Sequence, residues 1–187
     1  MDTDVTQSPL FLLATSMAYL IEADTRTTYE EKAQLTAALG KHVSSGEITQ
    51  AELHAIVSDA FDYALQKKVD SFLVDLSTTL TPGQKVAVII NMYDAMLVDG
   101  SVAVGEKKIM QKFVNSFEIS RDTMKVIREI IMIKNDTTIF TDPAHPQNDP
   151  KYALDVQMFN STASAPPAQL TDALPGGKPR WSSGESD

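Results

Sequence analysis

The sequence predicts an all-α body followed by an extended Pro-rich tail, on three observations. Apolar residues recur at spacings of three and four rather than two from residue 8 to 134. Helix-start signals stand at Thr28, Thr49, Thr81 and Ser120, each just ahead of one of these stripes. Proline is sparse in the body, at Pro9 and Pro82, but Pro143, Pro146, Pro150, Pro166, Pro167, Pro175 and Pro179 crowd the segment after Asn135. The expected division is therefore a bundle over 1–134 and a tail over 135–187.

Seven helices are expected in the body. Leu10, Leu13, Ala14, Met17 and Ile21 form the first stripe. The second helix runs from Thr28 to Ser45 on Leu35, Ala38, Leu39 and Val43, with Gly46 as its stop. Thr49 and Glu52 make a capping box for the third, whose stripe is Leu53, Ile56, Val57, Ala60, Phe61 and Ala64. Val69, Phe72, Leu73 and Leu76 give a short fourth. The fifth opens on Thr81-Pro82-Gly83-Gln84, a cap with Pro at the first helical position and Gln at N3, the strongest start signal in the chain. It continues on Val86, Ile89, Ile90, Tyr93 and Leu97, the sixth covers Val104 to Phe117, and Ser120 caps a seventh on Met124, Ile127, Ile130 and Ile131.

Composition narrows the function. The 187 residues carry a formal charge of −9 and a pI near 4.7, which disfavours nucleic-acid phosphate or anionic lipid as a partner. Body and tail are both acidic, with 18 acids against 13 bases and seven against three. The absence of cysteine excludes disulfides, thiolate metal sites and a Cys nucleophile. No phosphate loop, nucleophile elbow or dinucleotide fingerprint occurs, so an enzyme is not the expected class. The longest apolar stretch, Leu10 to Ile21, is about a dozen residues where a membrane span needs about 20. With Asp2 and Asp4 where a signal peptide wants Lys or Arg, the expectation is a cytoplasmic chain, peripheral to a membrane assembly at most through a protein partner.

The body also repeats. Tyr19, Asp24 and Glu31 correspond to Tyr93, Asp99 and Glu106, with Asp and Glu seven residues apart in both copies. Each copy reads as an apolar helix, an acidic turn and a second helix opening near the Glu. The second copy, Asp99-Gly100-Ser101-Val102-Ala103-Val104-Gly105-Glu106, matches the latter half of an EF-hand loop. The earlier ligand positions fall on Ala95 and Leu97, or on Leu20 and Glu22, and Thr25 stands where the first copy would need Gly, so an EF-hand calcium cage is not expected.

Met96-Leu97-Val98-Asp99-Gly100-Ser101-Val102 with Glu106, Phe117-Glu118-Ile119-Ser120, and Ala23-Asp24 with Glu31 resemble the TerB-like domain of tellurite-resistance and stress-response proteins over roughly residues 8–134. The resemblance implies about seven helices in two pseudo-symmetric halves. It also implies a central acidic site for a divalent cation or an interaction partner, formed by Asp24, Glu31, Asp99 and Glu106.

Plainer roles compete for several of these residues. Thr28 with Glu31 is itself a capping box, whereas Ala103 gives Glu106 no hydroxyl to complete one. Met17, Met92, Met96, Met110, Met124 and Met132 read as core filler rather than as a binding groove, and His42, His54 and His145 as structural or solvated. In the tail, Phe140, Tyr152, Phe159 and Trp181 are candidate partner anchors, since a purely solvating segment has little use for large aromatics. The expected function is a non-catalytic interaction or scaffold subunit, docked on a protein partner in a larger complex or on its own copy. The alternative is a TerB-like stress-response protein that binds a divalent cation.

Overall fold

The computed structural model describes residues 8–23, 29–97 and 102–154, with the side chains of 29–32 outside that description. Seven α-helices and no strands make up these residues: α1 (Pro9–Ile21), α2 (Tyr29–Ser44), α3 (Gln50–Gln66), α4 (Val69–Thr79), α5 (Pro82–Met96), α6 (Val104–Ser116) and α7 (Arg121–Asn135). All seven expected helices are present, with ends within a few residues of the sequence reading.

The helix starts follow from local chemistry. Thr49 and Thr81 each accept a hydrogen bond from the N3 amide while the N3 side chain, Glu52 or Gln84, accepts one from the cap amide, and Ser120 accepts one from Thr123. Ser8, ahead of Pro9, caps α1 in the same way. Thr28 lies outside the described residues. Helix ends are equally local. Gly46 has φ +78, and the Gly46 and Glu47 amides reach back to the Val43 and His42 carbonyls, closing α2 as the sequence predicts. The same double closure ends α6 at Glu118, which takes a left-handed φ of 56 without being glycine.

The core is organised around α1, where every residue from Ala14 to Ile21 is buried. A helix apolar on all sides belongs inside its domain, and α1 packs on α3, α5, α2 and α6. Tyr19 joins it to the end of α3 by donating its hydroxyl to the Lys67 carbonyl at 2.9 Å, and burial pushes that phenol up to about 12. Phe72 of α4 touches Tyr19, Tyr63 and Phe113, with ring centroids 5.3, 5.8 and 6.4 Å away. One short helix thereby links α1 and α3 to α6.

The contacts follow the sequence repeat. Residues 22–28 join α1 to α2 and residues 97–103 join α5 to α6, two connections of equal length. Exchanging α1, α2 and α3 for α5, α6 and α7 maps the α1–α2 contact onto α5–α6, α1–α6 onto α2–α5, and α1–α3 onto α5–α7. One pair breaks the pattern. α3 packs on α2, whereas α7 has no comparable contact with α6.

After α7 the chain forms turns and a short 3-10 helix at Pro146–Asn148, with no α-helix in residues 136–154. Proline removes amide donors that a helix needs, and side chains supply the missing partners. Asp136 accepts from the Thr138 amide and hydroxyl and meets His145 at 2.9 Å, while Asn148 donates to the Ile139 and Asp142 carbonyls. The hydroxyl and amide of Thr138, followed by His145, hold the Asp136 carboxyl down at about 2. His42 and His54 likewise have local roles, against Glu47 and Gln50.

Candidate functional site

Of the four acidic residues singled out from the sequence, Glu106 is the one whose side chain the structure describes. Asp24, Asp99 and the Glu31 side chain lie outside the described residues. Glu106 is 7% exposed, and its Oε2 accepts from the Ala103 amide at 2.7 Å. This corrects the expectation that Ala103 spares Glu106 a capping role: the return half of a capping box needs only the backbone N–H of the cap residue. The acid also stands in the first turn of α6, where the helix dipole favours it.

Gly105, next to Glu106, brings the start of α6 against the chain just beyond α1. A Cβ at this position would lie 2.0 Å from the Ala23 carbonyl oxygen and 2.9 Å from its carbon. The start of α6 is thus pressed against backbone just beyond α1, one residue before Asp24. Glycine is required here for close approach, not for a turn. Among the described residues no group of three or more His, Asp or Glu side chains is placed to hold a metal ion.

A second feature lies on the opposite side of the α6 start. α6 and α7 both pack on α5 more closely than on each other, and together with α5 they line a groove of about 1150 Å³. Tyr93, Met96 and Leu97 from α5 and its end form the floor, with Val102, Met110, Val114 and Ile119 on one wall and Met124 and Met132 on the other. Lys107 stands on the α6 side, and Arg121, Lys125 and Arg128 run along α7. Among the described residues no carboxylate lines this groove.

The methionines divide. Met17, Met92, Met96 and Met110 are core residues at 1%, 0%, 5% and 5% exposure, as the sequence predicts, the last two also bordering the groove, whereas Met124 is half-buried at the groove and Met132, 52% exposed, departs from the core reading. The basic rim was not singled out from the sequence, although a signal existed. Residues 107–134 hold seven bases and three acids in a chain whose net charge is −9.

Among the aromatic anchors expected in the tail, Phe140 is 95% exposed. Tyr152 is 37% exposed and donates its hydroxyl to Glu129 of α7 at 2.7 Å. The carboxylate beside it pushes the Tyr152 phenol upward. Phe159 and Trp181 lie outside the described residues. No helix among the described residues is long and apolar enough to cross a membrane.

Comparison of the chain with models of known protein families, with curated proteins and with solved structures finds no match.

Proposed function

We propose that this chain is a non-catalytic interaction subunit, whose bundle docks on a protein partner and whose Pro-rich segment contributes further anchors to the assembly. The observation that carries the reading is the α6–α7 groove, an open apolar channel with cations on its rim. Ordinary solvated surface does not gather four methionines around one channel. Phe140, held almost fully in water, supports a second point of contact.

Co-purification tests this reading. Full-length chain should retain a partner that Met124→Asp loses, because an apolar surface covering the groove wall would strip the new carboxylate of water. Truncation after Lys134 should leave the helical signal and the melting transition nearly unchanged while weakening retention. Trp181→Ala should reproduce part of that loss, about 2 kcal/mol for a central anchor. A partner held equally well by wild type, Met124→Asp and the truncated chain would remove the reading.

A second reading follows the TerB-like resemblance: a cytoplasmic stress-response protein with a divalent cation held by Asp24, Glu31, Asp99 and Glu106. The approach of Gly105 to Ala23 favours it, because it brings the α6 start that carries Glu106 against backbone one residue before Asp24. Four carboxylates form a hard-oxygen donor set suited to calcium, magnesium or manganese, although Glu106 already caps α6 with one oxygen. Such an ion would neutralise crowded carboxylates. On this reading, millimolar calcium, magnesium or manganese raises the melting temperature of the wild type and leaves the Asp99→Asn, Glu106→Gln double variant unmoved. A wild type indifferent to all three ions would eliminate the cation.

A further inference from the structure

We infer that residues 136–154 form a strap latched to α7 by Tyr152 and Glu129, and that releasing it opens the α7 edge of the groove. The inference rests on the interaction-subunit reading, which makes the groove the docking site, and adds a control on access to it.

The strap doubles back on the helix it leaves. It begins at Asp136, the C-cap of α7, yet Gln147 shares a cleft of about 290 Å³ with Lys125, Arg128, Glu129 and Met132. Tyr152 donates to Glu129, six residues before the helix ends. At 1.5 Å per residue, the chain has returned about 9 Å along α7. Lys125, Arg128 and Met132 line the groove as well as this cleft. The side chains that meet the strap are thus one edge of the groove, and a strap that swung away would join the two spaces. Met132, exposed and unbranched, gives the joined space an edge that re-forms around an apolar occupant.

The strap's bonds are strong at its base and weak at its far end. At the base Asp136 holds Thr138 and His145, Asp142 accepts from the Ala144 amide, and Asn148 donates to the Ile139 and Asp142 carbonyls. Beyond Asn148 the bracing stays local, since the Lys151 and Tyr152 amides return to Asp149. The Tyr152 hydroxyl carries this outer part across to α7, to a carboxylate 23 residues away in the chain. It does so beside water, with Tyr152 exposed and Glu129 half-buried. A hydrogen bond in contact with solvent contributes little net, so the latch opens well before the base does.

The test uses the full chain and Nile red, a neutral dye that fluoresces in apolar surroundings. Tyr152→Phe removes the latch donor and keeps the ring, and Glu129→Ala removes the acceptor. Each should raise Nile red fluorescence about fivefold, the weight of one hydrogen bond, with circular dichroism and melting unchanged. The double variant should go no higher, because both changes remove the same interaction. Met124→Asp, on the groove wall, should abolish the gain. The strap itself is followed with nitroxide labels on Ala153→Cys and Lys108→Cys, both exposed positions in a chain without cysteine of its own. Tyr152→Phe should add a longer distance to the distribution between them. Additive effects of the two latch variants, a gain that survives Met124→Asp, a dye signal equal to wild type, or an unchanged distance distribution each overturns the inference. If the latch variants leave the dye signal unchanged while Met124→Asp still loses the co-purified partner, the latch falls and the interaction reading stands. If the dye responds as expected but Met124→Asp retains the partner, the strap still opens the groove and the interaction reading falls.

Discussion

Replacing Phe72 with Ala should destabilise the bundle by about 3–5 kcal/mol, because it removes a buried ring and leaves a cavity that its neighbours only partly fill. Phe72 is 2% exposed, and its ring meets Tyr19 of α1, Tyr63 of α3 and Phe113 of α6. The loss therefore falls between the two halves of the repeat rather than within one helix pair. Small domains are stable by about 5–15 kcal/mol, so the variant forfeits a large share of the total. Thermal melting by circular dichroism should show a fall on the order of 10 °C. Phe72→Leu, which restores most of the volume, should recover much of it. A Phe72→Ala protein melting within a degree or two of wild type would show that α4 is not the link between the halves.

Gly105→Ala should cost about 3 kcal/mol or more although it adds a single methyl group. The new Cβ would sit 2.0 Å from the Ala23 carbonyl oxygen, which is backbone and cannot rotate away like the end of a side chain. α6 must then retreat or the 22–28 connection must shift. Gly40 supplies the control, since nothing lies within 4 Å of the Cβ it would carry in the interior of α2. Gly40→Ala should stabilise by about 0.5–1 kcal/mol through helix propensity. Denaturant melts of the two variants should move in opposite directions. Both moving up would mean that the α1–α6 approach is looser than described.

The contrast between these glycines marks the limit of what the sequence discloses. Helix positions are written locally, in the spacing of Leu53, Ile56 and Ala60 or in the Thr81-Pro82-Gly83-Gln84 start, and they are legible because propensity, cap and apolar stripe agree. Gly46 is legible for the same reason: a turn that needs positive φ follows a stripe that ends. Gly105 is not, because its requirement comes from a carbonyl more than eighty residues away in the chain. Its one trace in the sequence is a glycine in the first turn of a helix where neither cap nor turn calls for it.

Glu106 was only half legible. A capping box is recognised by two side chains, and the half that Glu106 forms uses the backbone of Ala103, which has no sequence signature. The groove was hidden for a different reason. Met124 obeys the same spacing as residues that reach the core, and periodicity identifies an apolar face without saying whether another helix covers it. Arg121, Lys125 and Arg128 read as an ordinary solvated row until they are seen to run along one side of the groove.

The central place of α1 also bears on the order in which the chain can fold. α1 precedes in sequence every helix it packs against, so a growing chain presents its apolar surface before any cover exists. α2 and α3 arrive next and can enclose part of it, but the sides that meet α5 and α6 wait until residues 82–116 have been made. At synthesis rates of about 5–20 residues per second, that interval lasts several seconds. The first three helices would pass it as a half-built core with one greasy side uncovered, a natural client for a chaperone that holds nascent chains. Once closed, the same helix should be the last to surrender its amide protons to solvent, since exposing them requires both halves of the repeat to open.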